Sequence, residues 1–95
     1  MTFTKTTEGD TLTIVVNGNI DTISAPILEQ DISPALNDIN AIVFDVTDVE
    51  YMSSAGLRLL GKVRRTIENV SLRNPNNSLR QILKLTQFEK LIKII

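Results

Sequence analysis

Residues Ala41 to Leu60, AIVFDVTDVEYMSSAGLRLL, leave this chain few folds to choose from. An unbroken apolar run, Ala41-Ile42-Val43-Phe44, ends in a carboxylate, Asp45. A turn region with Asp48 and Glu50 follows, then Ser53-Ser54-Ala55-Gly56, then an amphipathic run from Leu57. A continuous apolar strand that enters a helix predicts a parallel strand covered on both faces, with Val43 and Phe44 buried. Serine is a favoured helix N-cap, and Gly56 lets a neighbouring backbone approach closely. Hydroxyls at a helix start sit beside free amides and the positive end of the dipole, a setting that tolerates phosphate. Two readings follow from these residues: a serine presented for phosphorylation, or a serine that only caps the helix. Spacing does not choose between Ser53 and Ser54.

The rest of the chain supplies partners for that strand. Thr2 to Thr7 reads as a short strand, and the β-branched run Thr11 to Asn17 as a second; a Glu8-Gly9-Asp10 turn joins them in a hairpin. Ile20 to Pro26 leads into a first helix, with Ser24 as its expected cap. Leu28, Ile32, Ala35, Leu36 and Ile39 recur at helical spacing and are expected to face the core. Pro34 interrupts them, which predicts a kink or break near Gln30 to Ser33. The central strand spans Ala41 to Val46. A second helix runs from about Ser54 to Ile67, with Gly56, Leu59, Leu60, Val63 and Ile67 in one stripe. Arg58, Lys62, Arg64 and Arg65 lie off it, and such a basic face is ordinarily a solvated one. Val70 to Arg73 is a further strand, and Asn77 to Gln87 a third helix with Leu79, Ile82, Leu83 and Thr86 inward. Phe88, Leu91, Ile92, Ile94 and Ile95 form an apolar tail expected to pack on the sheet. The order β-β-α-β-α-β-α predicts one α/β domain over residues 1–95, a mixed sheet with parallel core strands and about three helices.

Composition narrows the chemistry. With no Cys and no His there is no thiol nucleophile, thiolate or imidazole metal site, or Ser-His-Asp triad. A formal net charge of −1 and the absence of Trp give no case for direct nucleic-acid binding. No Gly-rich, Lys-ending phosphate loop is present, which weighs against a small nucleotide-binding enzyme. No cofactor is expected. No apolar stretch reaches the ~18 residues of a membrane span. The segment MTFTKTTEGD lacks a signal-peptide core, so a cytoplasmic protein is expected.

DVTDVEYMSSAGLRLL resembles the central motif of STAS domains, specifically the anti-sigma factor antagonists. There a buried strand ends in Asp, a hydrophobic-aromatic pair follows, and a Ser-rich turn with Gly opens a helix. The resemblance covers essentially the whole chain. TLTIVVNGNIDTISAP is similar to the family's second strand with its Gly and Asp, here Gly18 and Asp21. NPNNSLRQILKLTQFEKL is similar to its C-terminal Asn-Pro loop and helix, with Arg80, Leu83, Leu85 and Thr86 in place. The chain departs from the pattern at Ser53, where many relatives have Asp, at Ala55, where many have Ser, and at Gln87, where Gly often ends the last helix. The segment from Gly56 to Asn74 is shorter than the pattern by about one to two turns of ~3.6 residues.

The resemblance implies a binding module rather than an enzyme. Unphosphorylated, it would bind a serine-kinase-type anti-sigma factor and free the sigma factor. The kinase would phosphorylate Ser54, the Ser two positions before the helix-opening Gly, and a serine phosphatase would reset it. Asp21, Asp45, Ser53, Ser54, Gly56 and Arg58 are the partner-binding candidates. Asp21 reads equally as a loop cap, and Asp45 as a strand-end acceptor. The alternative is a non-switching STAS subunit of a larger assembly, lipid-transport or stressosome-like, with Ser54 only a helix cap. Oligomeric state is left open.

Overall fold

The computed structural model describes residues 1–95. Thr2–Glu8 (β1) and Thr11–Asn17 (β2) form the expected antiparallel hairpin, turning at Gly9, whose φ is +59°. Ala41–Asp48 (β3), Asn69–Arg73 (β4) and Lys93–Ile94 (β5) add in parallel, giving the order β1-β2-β3-β4-β5. Phe44 stands opposite Ile14 on one side and Leu72 on the other. The helices are Ser24–Ile32 (α1), Ser54–Thr66 (α2) and Asn77–Leu85 (α3). No helix is long and apolar enough to cross a membrane.

The central strand is covered on one face, not two. Ile42, Phe44 and Val46 are buried, while Ala41, Val43 and Asp45 between them are only half-buried. The same alternation runs through Leu12, Ile14 and Val16 on β2 and Val70 and Leu72 on β4. Strand order supplies the reason. From β2 to β5 each strand adds on the same side of its predecessor, and right-handed crossovers in one direction put every helix on the same face. Covering both faces requires a reversal of direction, and this order has none. The apolar run thus fills the core with alternate residues and leaves Val43 on an open face beside Thr13 and Ser71.

Other elements follow from local chemistry. α1 gives way at Ile32 to a 3-10 segment, Ser33–Asp38, which accommodates Pro34 near its start and keeps Ala35 and Leu36 against the core. On α2, Gly56, Leu59, Leu60 and Val63 are buried, with Ile67 just beyond. Only Ile67 and Glu68 separate α2 from β4, a short connection in the segment where the spacing is short. The apolar tail packs on the sheet only in part, with Leu91 and Ile95 left exposed: a 3-10 turn, Phe88–Lys90, leads into β5, a strand absent from the expected order. Arg64 ties this tail down, donating from Nε to the Leu91 carbonyl at 3.0 Å. Ile92 is buried, and Phe88 and Ile94 pack against the core.

α3 ends at Leu85, two residues before Gln87, with Thr86 exposed rather than inward. Gln87 has φ +63°, the left-handed conformation that favours glycine after a helix. A side chain there costs about 1–2 kcal/mol, partly offset by the ~0.4–1 kcal/mol that glycine loses through its freer unfolded chain. Gln87→Gly is therefore expected to raise stability by roughly 0.5–1 kcal/mol. Urea melts check this: the midpoint should rise with the slope unchanged, and a lower midpoint would contradict the reading.

Candidate functional site

The parallel strands β2, β3 and β4 all end at one edge of the domain, and α1, α2 and α3 begin there. Backbone bonds zip the loops together beyond the strands. Gly18 N donates to Asp48 O at 3.2 Å, Ile20 N to Tyr51 O at 3.1 Å, and Ser53 N to Ile20 O at 2.9 Å. Ile20 and Met52 form an isolated parallel bridge. Side chains complete the seam. Asn19 Oδ1 accepts from Tyr51 N at 3.2 Å, and Asn76 Nδ2 donates to Val49 O and Glu50 O at 3.3 and 3.2 Å. Asn76 also caps α3, accepting from Leu79 N at 2.8 Å.

A serine caps α2 and an asparagine of the Asn74–Ser78 loop caps α3, as residue type suggests, but the cap of α1 differs from the one expected. At α1 the capping oxygen belongs to Asp21, not Ser24. Asp21 Oδ1 accepts from Ile23 N and Ser24 N at 3.0 and 2.9 Å, and Asp21 O accepts from Ala25 N. Ser24 answers as the reciprocal half of a capping box: its Oγ accepts from Asp21 N at 2.9 Å and donates to Asn19 O at 2.8 Å. At α2 the cap is Ser53, with φ −79° and ψ 176°; its Oγ accepts from Ala55 N at 3.2 Å. Ser53 thus does here what a short acidic side chain does at an N-cap. Ser54 is the first helical residue, exposed, with a hydroxyl that serves no hydrogen bond of the domain.

Gly56 lies where α2 crosses the Ile20–Met52 seam. A Cβ there would run into Met52 Cγ and sit 3.0 Å from Ile20 Cγ2 and 3.2 Å from Ile20 O. The approach of the two loops therefore depends on glycine. Arg58 is exposed one turn along α2. It borders a hollow of about 290 Å³ between α1 and α2, with Ala25, Ala55 and Leu59 beneath and Lys62 and Glu29 on the rim. Lys62 Nζ and Glu29 Oε1 are 3.2 Å apart.

The geometry thus brings Asp21, Ser53, Ser54 and Gly56 together at one seam, with Arg58 a turn away. Asp45 is elsewhere. It projects from the open face of the sheet, where Thr47 donates to Oδ1 from its hydroxyl at 2.6 Å and its amide at 3.1 Å. Arg73 Nη1 lies 3.8 Å from Oδ2. Residue-type reading missed Asn19 and the second role of Asn76 in holding the seam, and Ile23, which is 79 % exposed beside it. The signal for Ile23 and Ile27 was present: they repeat four apart, out of phase with the buried Leu28 and Ile32.

Both aspartates titrate low. The Ser24 backbone amide is the main cause that holds the Asp21 carboxyl below its usual 3.8, with the Ile23 amide adding to it. For Asp45 the Thr47 hydroxyl is the main cause, with the Thr47 amide and Arg73 adding to it against the cost of burial. A lowered folded-state pKa contributes stability that is complete above the ordinary value and is lost as pH falls through the lowered one. Asp45→Asn is expected to flatten the fall of urea midpoint with pH in the acid range below 3.8. An unchanged slope would contradict the assignment.

A family model for the STAS domain matches residues 2–95. No curated protein sequence matches the chain. Among solved structures, an anti-sigma factor antagonist from Mycobacterium paratuberculosis is 26 % identical with a TM-score of 0.87, over 98 % of this chain and 83 % of its own. The anti-sigma factor antagonist SpoIIAA in its unphosphorylated form is 21 % identical with a TM-score of 0.76, over 88 % and 83 %. The Bacillus cell fate determinant SpoIIAA in its phosphorylated form is 19 % identical with a TM-score of 0.79, over 99 % and 91 %. At these identities the two SpoIIAA structures show a shared fold.

Proposed function

Because the chain belongs to the STAS domain family, we propose that it is an anti-sigma factor antagonist switched by phosphorylation of Ser54. Unphosphorylated, it binds a serine-kinase-type anti-sigma factor in the cytoplasm and frees the sigma factor. The kinase then transfers the γ-phosphoryl group of ATP: the Ser54 Oγ–P bond forms, the β–γ bridge breaks, ADP leaves, and the hydroxyl proton passes to a base of the kinase. A serine phosphatase reverses the modification. The observation that carries this reading is the division of labour between adjacent serines. Ser53 caps α2, so Ser54 is an exposed hydroxyl with no structural duty. The reading of Ser54 as only a helix cap loses its basis there. That solved structures of both SpoIIAA forms share this fold supports the same reading.

The proposed docking surface comprises Ser54, the Ser53 turn over Gly56, the Asp21 loop and Arg58. Asp45, on the opposite face, is assigned strand-end support instead. Charge reversal at Arg58 is expected to weaken kinase binding at least about tenfold, a loss of ~1.4 kcal/mol. Reversal at Lys5, which pairs with Asp31 from β1, is expected to stay within about twofold because exposed pairs contribute little. Titration calorimetry with the cognate kinase checks this; equal effects at the two positions would count against the surface.

A further inference from the structure

Arg58 follows Ser54 by four residues on α2, on the same exposed side of the helix. Such residues are neighbours, with Cβ atoms about 5–6 Å apart. Helical side chains lean back toward the N-terminus, so an arginine at position 58 can reach the turn that carries Ser54. Its guanidinium is uncommitted. The domain's ion pairs are Lys5–Asp31, Lys62–Glu29 and Arg73–Asp45, and none uses Arg58. Of the nearby carboxylates, Glu29 holds Lys62 and Asp21 accepts from the first amides of α1, while Asp48 and Glu50, at the end of β3 and on the loop into α2, form no ion pair with Arg58 or any other residue. Lys62, on the same side of α2, is occupied in turn by Glu29.

Resting on the reading of Ser54 as the phosphorylated residue, we propose that Arg58 is the intramolecular receptor for the Ser54 phosphate. An anion four residues before a cation is the favourable polarity for such a pair, and a guanidinium meets a phosphate with two parallel hydrogen bonds. The consequence reaches the partner. In the unphosphorylated protein Arg58 is free to meet a carboxylate of the kinase. In the phosphorylated protein the phosphate takes Arg58 for itself. The switch then has two parts: a charge is added at Ser54, and a cation is withdrawn from the docking surface.

The test uses the full chain with phosphoserine installed at position 54 by genetic encoding, so that no kinase is needed. The phosphate is titrated by 31P NMR in the parent, in Arg58→Gln and in Arg58→Lys. The helix amides are the same in all three, so any difference belongs to residue 58. The parent's second phosphate pKa is expected about half a unit below that of Arg58→Gln, with Arg58→Lys between them. The ratio of kinase affinities, unphosphorylated over phosphorylated, is expected to shrink several-fold in Arg58→Gln. Coincident titration curves in parent and Arg58→Gln would overturn the proposal. A kinase that leaves Ser54 unmodified would instead sink the functional reading and leave the titration result standing.

Discussion

An alanine at position 56 is expected to destabilise the domain, whereas the same substitution five residues later is expected to stabilise it. Both glycines lie in α2, where alanine gains up to about 1 kcal/mol over glycine. At Gly61 a Cβ would meet only the Phe88 ring at 3.8 Å, an ordinary contact, so that gain should appear almost whole. At Gly56 it would collide with Met52, which is buried, and press on Ile20 Cγ2 and the Ile20 carbonyl. Overpacking of this kind costs about 1–3 kcal/mol, and a backbone oxygen cannot rotate aside as a side chain can. For a domain of this size each kcal/mol moves the melting temperature by roughly 4–8 °C. Gly56→Ala should therefore melt well below the parent and Gly61→Ala slightly above it. The harm at position 56 also reaches the site, because the Ile20 carbonyl that must shift accepts the Ser53 amide. Calorimetric melts of the two variants decide it. A Gly56→Ala protein as stable as Gly61→Ala would mean the seam has slack that the geometry denies.

Much of this seam was legible in the chain, for reasons that differ by residue. Gly56 could be read because glycine at a helix start beside a strand end has few other uses. The break at Pro34 could be read because a missing amide hydrogen is a local fact. The one-sided sheet could not be read from the run Ala41 to Phe44. Alternate burial and double burial produce the same apolar string when the exposed positions happen to be Ala and Val. Strand order decides the matter, and order depends on long-range pairing. Asp21 and Ser24 were both identifiable as capping types, but three residues apart they can exchange roles. The direction of the bonds settles it: Asp21 Oδ1 accepts the first amides of α1, and Ser24 Oγ accepts the Asp21 amide in return. β5 is two residues long and has no pattern of its own; it exists because β4 offers an edge. Ser53 and Ser54 were indistinguishable by spacing. The backbone separates them, since the residue with extended φ and ψ is the cap and the next one is free.

That separation sets the second large effect. Phosphorylation adds about −1.5 to −2 charges. On the free domain the added group would sit on the exposed start of α2, within reach of water, the helix amides and Arg58, so folding is expected to survive it. Under the proposed docking it would have to shed water at the interface, and a loss of ~3 kcal/mol would weaken binding more than a hundredfold. Ser54→Asp should therefore bind the kinase weakly while melting near the parent temperature. Ser54→Ala should bind as the parent does and never be released by ATP. Ser53→Ala should show the opposite profile, losing about 0.5–2 kcal/mol with its cap while keeping the acceptor hydroxyl. A Ser54→Asp protein that unfolds, or a Ser53→Ala protein as stable as the parent, would reverse the roles assigned here.

The measurement that bears most directly on these roles is the site and consequence of phosphorylation by the cognate kinase. The protein is incubated with that kinase and ATP, the phosphate is mapped by mass spectrometry, and retention of the modified protein on the kinase is followed in the same sample. Phosphate is expected on Ser54, with loss of retention in proportion to modification. Phosphate on Ser53 alone, or a Ser54-phosphorylated protein that still binds as tightly, would contradict it.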